Sequence, residues 1–363
     1  MSPSRADIEV AIRSYQDPYL KRNLLDAGCL EFLNIDNNKV SASLMLGYPA
    51  NGLCDGIAQV LGSKIEEVDG IESVDVSVNW NVDSAPVQGK LETMVGVKNV
   101  IAVASGKGGV GKSTTTANLA LALVAEGARV GILDADIYGP SMGQMFGIPD
   151  GTRPDVKNEK FFMPIEAHGI QVMSMAFLVT EDTPVVWRGP MVSGALIQLL
   201  TQTMWSDLDY LVIDLPPGTG DIQLTLAQKI PVSGSIVVTT PQDLALIDAR
   251  KGVEMFHKVG VPVLGVVENM AVHICSNCGY TEYLFGEGGG NRIAEQFEVE
   301  LLGSLPLSMM IREQADQGAP TVVSEPESRI AMIYQDIARH MTAKLWLRHQ
   351  LAPAAPSLSV VDD

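Results

Sequence analysis

A glycine-rich loop between an apolar strand and a helix constrains this chain more than any other feature. The segment GKGGVGKST (residues 106–114) follows the apolar run VIAVAS and precedes a helical pattern over residues 113–125. It fits the spacing G-x-x-x-x-G-K-[ST], whose glycines let several backbone N–H groups converge on one anion. A plain glycine-rich turn does not account for this context, so the sequence predicts a loop that holds nucleotide phosphates.

The loop residues divide into backbone donors and charged or hydroxyl side chains. Lys112 is expected to neutralise the β and γ phosphates of ATP, and the Ser113 hydroxyl is expected to bind Mg²⁺. We predict nucleotide contacts from Gly106, Lys107, Gly108, Gly109, Val110, Gly111, Lys112, Ser113 and Thr114.

Acidic residues end two later apolar runs. Asp134 and Asp136 lie in ILDADIYGPS, and Asp214 lies in YLVIDLPPGTGD, which fits a Walker B acid that holds Mg²⁺. The carboxyl ends of parallel strands face the ligand crevice, so these positions favour a functional role. The structural alternatives are helix capping for the first two and a buried strand-end carboxylate for Asp214.

Length and patterning predict two domains in 363 residues. Residues 1–80 read as a small α+β unit, 81–96 as a linker, 97–350 as the larger domain and 351–363 as a flexible tail. In the larger domain, strands apolar on both faces alternate with helices, which predicts an α/β fold with a doubly wound, mostly parallel sheet. Periodicity predicts strands over residues 30–35, 40–46 and 71–78, and helices over residues 53–65 and 328–347.

Charge and hydropathy exclude two classes of partner. The net charge of −18 argues against a general nucleic-acid binder, because such binding depends on Lys and Arg. No signal peptide is recognised, and no apolar run reaches the roughly 18 residues that span a bilayer, so we expect a cytoplasmic protein without a membrane partner.

Two of the four cysteines, Cys275 and Cys278, stand at C-x-x-C spacing directly after a predicted strand. Tetrahedral zinc and a [4Fe-4S] cluster each want four such ligands, and the chain has no second C-x-x-C. A two-fold axis through a homodimer would bring two pairs together. A structural zinc clip and a redox pair are the alternatives.

Lys107, directly after the first glycine, gives the loop the form KGGVGKS, which resembles the deviant Walker A, or MinD-like, class of P-loop ATPases. That class includes MinD, ParA, nitrogenase iron protein and Mrp/ApbC proteins, and the resemblance covers residues 97–320. It implies that Lys107 reaches across a homodimer to the partner's nucleotide; a solvated loop lysine is the alternative. It also implies that Asp136 activates the attacking water, that Asp134 supports the Mg²⁺ shell and that Asn269 binds adenine, unless Asn269 only forms a turn.

The inserted C-x-x-C, VWRGPM (residues 186–191) and LDADIYGPS together closely resemble the Mrp/ApbC iron-sulfur carrier proteins. The resemblance implies a slow cytoplasmic ATPase, with Lys107, Lys112 and Asp136 catalytic, that holds a labile [4Fe-4S] cluster between two subunits. The cluster would come from a scaffold and pass to apo iron-sulfur proteins.

The N-terminal unit resembles the small iron-sulfur-assembly domain often attached to such carriers. GYPANGLC places Cys54 further along than the cysteine in many domains of that type, so no ligand role is carried onto it. We expect Cys29 and Cys54 to be small buried apolar residues.

Three other functions fit parts of the same pattern. One is a MinD-like positioning ATPase whose C-terminal helix, over residues 330–347, binds a membrane, although docking on the core explains the same apolar stripe. The second is an electron donor like nitrogenase iron protein, in which the two cysteines of each subunit are far apart in sequence. The third is an ATPase with a structural zinc.

Overall fold

The computed structural model describes residues 3–85, 91–178, 189–275 and 277–351. The first part of the chain is an α+β unit in which β3, β4 and β5 form one sheet with its own hydrophobic core. Its elements are α1 (Arg5–Arg13), β1 (Gln16–Asp17), β2 (Arg22–Asn23), β3 (Leu30–Asp36), β4 (Lys39–Leu46), α2 (Cys54–Glu66) and β5 (Ser73–Trp80).

Alternating apolar residues build the sheet of this unit. Every second residue of β4 from Val40 to Leu46 is buried, as the two-residue period of a strand requires. β3 pairs with β4 antiparallel, and β5 pairs with β4 in parallel after the α2 crossover. The strand predicted over residues 71–78 begins instead at Ser73, because Ile71 donates its N–H to the carbonyl of Val68 at 3.3 Å and so belongs to the preceding turn.

The rest of the chain alternates strands and helices. Its strands are β6 (Val97–Ser105), β7 (Val130–Asp134), β8 (Val156–Lys157), β9 (Phe161–Phe162), β10 (Ile165–Ala167), β11 (Ile170–Ser174), β12 (Leu208–Asp214), β13 (Gly234–Thr239), β14 (Val263–Ile274), β15 (Thr281–Glu282) and β16 (Leu301–Leu307). Its helices are α3 (Lys112–Ala125), α4 (Met142–Met145), α5 (Gly189–Gln202), α6 (Asp221–Lys229), α7 (Asp243–Lys258), α8 (Gly289–Phe297), α9 (Met309–Asp316), α10 (Thr321–Ser324) and α11 (Arg329–Leu351).

Nine of these strands form one mostly parallel sheet in the order β10-β11-β7-β12-β6-β13-β14-β15, with β16 also paired to β14, while β8 and β9 form a separate antiparallel pair. Only β10 and β15 run antiparallel to their neighbours in it. Every residue of β7, β12 and β13 is buried, as expected for strands covered on both faces. The predicted doubly wound α/β fold is confirmed, and the order places the carboxyl ends of β7, β12 and β6 side by side.

The long C-terminal helix, α11, joins the two parts of the chain. Its apolar residues pack against α3 and β16, while Ala343 and Trp346 enter the core of the N-terminal unit. The indole of Trp346 lies over Gly47, where a Cβ would come within 2.0 Å of the ring. The predicted docking helix is therefore present and runs on to Leu351, a residue expected in the tail; residues 352–363 lie outside the described part. The bounds predicted for the domains and linker stay predictions.

A buried ion pair fastens the same junction. Glu126, directly after α3, pairs with Arg339 of α11, and their side chains are 3% and 13% exposed. Glu126 also accepts a hydrogen bond from the N–H of Gly52 in the N-terminal unit at 3.0 Å. Three parts of the chain thus meet at one carboxylate.

Glu126→Ala is expected to lower the free energy of unfolding by about 3 kcal/mol, because it leaves the Arg339 charge without its buried partner. Urea denaturation followed by circular dichroism measures the loss. Glu313→Ala is the matched control, since Glu313 pairs with Arg312 on the surface, with side chains 49% and 63% exposed. Equal losses in the two variants would contradict the role given to Glu126.

No helix among the described residues is both long and apolar enough to cross a bilayer. The stripe of α11 that a membrane-binding helix would need is buried, with Tyr334, Ile337 and Met341 at most 1% exposed. Core docking therefore accounts for this stripe.

Candidate functional site

The phosphate loop connects β6 to α3, as its sequence context predicts. Gly111 caps α3 in the left-handed conformation, with φ 80°, which favours glycine. Lys112 is the first residue of the helix, so its neighbours present the free N–H groups of a helix N-terminus. These groups and the positive end of the helix dipole make the loop a site for phosphate.

Asp214, at the end of β12, is the centre of a hydrogen-bond network below the loop. It accepts from the Ser113 hydroxyl at 2.6 Å and from the Thr116 hydroxyl at 2.7 Å. The Lys112 ammonium lies 2.6 Å from the same carboxylate. The structure thus brings together the residues predicted to hold Mg²⁺ and phosphate. Thr116 is an addition that sequence reasoning missed, although the run KSTTT marks it.

Asp134 lies on the neighbouring strand and closes the turn that follows it. Its carboxylate accepts from the N–H groups of Asp136, Ser141 and Met142 at 3.0 to 3.1 Å. Ser174 of β11, which the sequence did not single out, also donates to it at 3.2 Å. Burial, and secondarily the charge of Asp214, raises the pKa of Asp134. A supporting role for Asp134 in the Mg²⁺ shell stays a prediction.

Asp136 lies in the loop after β7, and the resemblance implies that it activates the attacking water. Its side chain is 9% exposed, and Oδ1 is buried without a hydrogen-bond partner among the described residues. Burial raises the pKa of Asp136, while the Lys112 charge opposes that rise. Asp136 therefore has a carboxylate oxygen free to accept a proton or orient a water.

The loop between β12 and α6 follows Asp214, and we call it the switch loop. The N–H of Gly218 donates to the carbonyl of Ser105 at 2.9 Å, which ties the loop to the end of β6. Gln223 of α6 is buried and donates its amide to the carbonyls of Pro216 and Pro217, at 3.3 and 2.6 Å. Sequence reasoning missed Gln223, because a glutamine in an amphipathic helix carries no local signal of such a contact.

Lys107 and Asn269 are the two predicted nucleotide residues whose side chains contact other parts of the protein. Lys107 is half-buried, and its ammonium lies 3.4 Å from the side-chain oxygen of Gln242. Asn269 is 8% exposed and donates its amide to the carbonyl of Val110 at 2.8 Å. Both polar atoms of Asn269 are engaged inside the protein, since its oxygen accepts from Met270 at 2.9 Å. Its binding to adenine and the action of Lys107 across a dimer stay predictions.

The cysteine pair lies in the turn between β14 and β15. The N–H of Cys275 donates to Tyr280 O and the N–H of Gly279 donates to Cys275 O, both at 2.9 Å. Hydrogen bonds from the N–H groups of Cys278 and Asn277, and then from the Cys278 thiol, lower the pKa of Cys275. The turn therefore holds Cys278 beside Cys275, and the lowered pKa of Cys275 favours the thiolate that metals bind.

No group of three or more His, Cys, Asp or Glu residues is arranged to hold a metal ion in the part of the chain that the structure describes. Cys29 is fully buried, as expected, whereas Cys54 is only half-buried at the first position of α2. Residues 186–188 of the VWRGPM segment lie outside the described residues.

A scan of family models matches residues 96–342 to "NUBPL iron-transfer P-loop NTPase" and residues 5–78 to "Iron-sulfur cluster assembly protein". The chain belongs to the NUBPL iron-transfer P-loop NTPase family. Membership in this family implies nucleotide hydrolysis and accounts for the phosphate loop, while the second match accounts for the small N-terminal domain.

Relatives named iron-sulfur cluster carrier protein match this NTPase along most of its length. The protein of Pseudomonas fragi is 68% identical over 77% of this chain and 97% of its own. That of Salmonella typhimurium is 48% identical over 96% and 94%, and that of Escherichia coli K12 is 47% identical over 98% and 96%.

Solved structures agree with this family. A nucleotide-binding protein of Archaeoglobus fulgidus in complex with ADP is 40% identical, with a TM-score of 0.56 over 64% of this chain and 90% of its own. The cell division ATPase MinD of Pyrococcus furiosus is 25% identical, with a TM-score of 0.50 over 67% and 97%. The iron-transfer NTPase therefore has a MinD-type fold.

Proposed function

We propose that this chain is an ATP-hydrolysing carrier of a labile [4Fe-4S] cluster, which two copies hold between them and deliver to apo-proteins. The observation that carries the proposal is the presence, on one sheet, of a phosphate loop after β6 and a C-x-x-C turn with two free cysteines after β14. The names of relatives that are nearly half identical along almost the whole chain support it.

The acidic pocket below the phosphate loop fits Mg²⁺. Asp134 and Asp214 are fully buried, and in the structure the ammonium of Lys112 is the cation that contacts Asp214. Mg²⁺ is bound in nucleotide sites by one or two carboxylates, a hydroxyl and the substrate phosphates. Asp214 and Ser113 would hold the ion, with Asp134 supporting them, and the ion would neutralise charge on the phosphates.

The residues around the γ-phosphate position have separate roles in ATP hydrolysis. Asp136, with its free carboxylate oxygen, orients or activates the attacking water. Lys112 stabilises the charge that develops on the transferred phosphoryl group, and Lys107 of a second copy adds to it. Departure of the phosphate then frees the switch loop at Gly218, and this movement regulates the loading or release of the cluster.

The cysteine hairpin supplies half of a four-thiolate site. A two-fold axis beside it would add Cys275 and Cys278 of a second copy. Four apolar residues close to the pair along the chain are between 46% and 64% exposed: Ile274, Tyr280, Tyr283 and Leu284. Apolar residues clustered on a surface favour an interface, so the same contact that completes the cluster site would cover them. We place the carrier in the cytoplasm, where thiols stay reduced.

Transfer of the cluster tests the proposal. The protein is reconstituted anaerobically with iron and sulfide and mixed with the apo form of a [4Fe-4S] enzyme, whose recovered activity is measured. We expect recovery to exceed that given by the same amounts of free iron and sulfide, and to persist when a chelator traps free iron. Recovery no better than with free ions would refute the carrier role.

Lys107→Ala is expected to lower the rate of ATP hydrolysis by about 100-fold, because it removes a cation that stabilises the transition state. ATP affinity should change far less, since Lys112 and the loop N–H groups remain. Steady-state phosphate release and equilibrium dialysis separate the two effects. Lys251→Ala is the control, because Lys251 pairs with Asp248 on the surface of α7. A Lys107 variant that hydrolyses ATP at the control's rate would contradict the role.

A further inference from the structure

The Asn269 side chain connects the phosphate loop to the strand that carries the cysteines. Its amide donates to Val110 O at 2.8 Å, and it packs so closely that a Cβ on Gly111 would come within 2.1 Å of its nitrogen. The carbonyl of Val110 and the N–H of Gly111 belong to one planar trans peptide and point in opposite directions. Asn269 therefore fixes the orientation of a peptide whose N–H belongs to the phosphate-binding loop.

The strand β14 is irregular at this point. Met270 has φ 56°, a left-handed conformation that is uncommon for residues other than glycine. The pairing of β14 with β16 shifts register between Glu268 and Val272, which is a bulge. The irregularity thus coincides with the residue that holds the phosphate loop.

Beyond the bulge, β14 leads directly to the cysteine hairpin. His273 pairs with both β15 and β16, and Ile274 pairs with β15. The next residue is Cys275, whose N–H closes the hairpin. From Asn269 to Cys275 the path is at most about 20 Å of paired strand.

We propose that Asn269 is a positioning residue that couples the nucleotide state of the phosphate loop to the geometry of the cysteine hairpin, through the bulge in β14. This coupling rests on the proposed function, and it supplies the structural path by which bound nucleotide would act on the cysteines. When phosphates draw the loop N–H groups toward themselves, the Val110 carbonyl moves with its peptide, and the Asn269 amide follows it. The backbone of the bulge shifts at Met270, and this shift moves the end of the strand at Cys275.

The thiols of the metal-free, full-length chain report this coupling. Cys275 is labelled with iodoacetamide in the presence and absence of saturating AMP-PNP and Mg²⁺, and mass spectrometry of the peptides gives the rate. We expect nucleotide to change the rate at least about fivefold, the lower end of typical allosteric couplings. Cys54, in the N-terminal unit, serves as an internal reference whose rate should stay constant.

Asn269→Asp and Asn269→Ala both remove the donor to Val110 O. Each is expected to weaken nucleotide binding about fivefold, the cost of one hydrogen bond. At saturating nucleotide each should label Cys275 at the same rate with and without AMP-PNP. Asn118→Ala is the matched control: Asn118 is also buried and donates to a backbone carbonyl, that of Thr114, at 3.0 Å, but lies on α3. It should keep the nucleotide effect.

Two outcomes would overturn the coupling. One is a nucleotide effect that survives in a folded Asn269 variant, and the other is a wild-type protein whose labelling ignores nucleotide. Hydrogen exchange of the wild-type peptide containing residues 269–275 gives a test that needs no variant; unchanged protection on adding AMP-PNP would count against the coupling. Because no cluster is present, none of these results depends on whether the chain carries iron-sulfur or zinc.

Discussion

Cys275→Ala is expected to abolish cluster retention and leave ATP affinity in the metal-free protein unchanged. In the proposed dimer each chain supplies two thiolates, so the substitution removes two of four ligands from the shared site. The remaining sulfurs cannot enclose the cluster. Iron and acid-labile sulfide, counted after anaerobic reconstitution and gel filtration, measure retention, and equilibrium dialysis measures ATP binding.

Cys54→Ala provides the matched control for this loss. Cys54 is also a half-buried free cysteine, but burial raises the pKa of its thiol, whereas backbone N–H groups lower that of Cys275. The control should hold as much iron as the wild-type protein. If the Cys275 variant retained iron, the cysteine hairpin would not be the site that holds the cluster.

Lys112→Ala is expected to reduce ATP hydrolysis by at least about 100-fold, because it removes the cation that faces developing charge on the phosphoryl group. Its side chain is 6% exposed and its ammonium lies against Asp214, so water cannot readily replace the charge. Lys112→Gln, which keeps a hydrogen-bond donor without the charge, should show a similar loss. Phosphate release at saturating ATP is the measurement.

The interpretation requires that the lysine variants stay folded. Thermal melting followed by circular dichroism checks this, and Lys98→Ala gives a comparison in the same domain, since Lys98 pairs with Asp209 away from the loop. Turnover at the wild-type rate in the Lys112 variants would show that the phosphate loop is misassigned.

Sequence predicted the parts of this molecule that depend on short-range pattern. The spacing of Gly111, Lys112 and Ser113 fixes a strand, a loop and a helix within a few residues, and the structure has all three. Asp214 was placed correctly beside the loop because parallel strands end at one edge of a sheet.

The contacts missed by sequence reasoning join residues far apart in the chain. Asn269 and Val110 are 159 positions apart, and Glu126 and Arg339 are 213 apart. Nothing local in VVENM shows that the amide turns inward to a backbone carbonyl, since that depends on where the sheet places β14, with β13 between it and β6, relative to the loop after β6. Gln223 was missed for another reason: its partners Pro216 and Pro217 are near in the chain, but a glutamine in an amphipathic helix gives no sign of such a contact.

The stoichiometry of the reconstituted protein tests the central claim most directly. Native mass spectrometry under anaerobic conditions gives the mass of the holo-protein, and iron and sulfide are counted in the same sample. We predict two chains that share a single [4Fe-4S] cluster, and dissociation to single chains when a chelator removes the iron. Metal held by one chain alone, or zinc in place of iron and sulfide, would contradict the account.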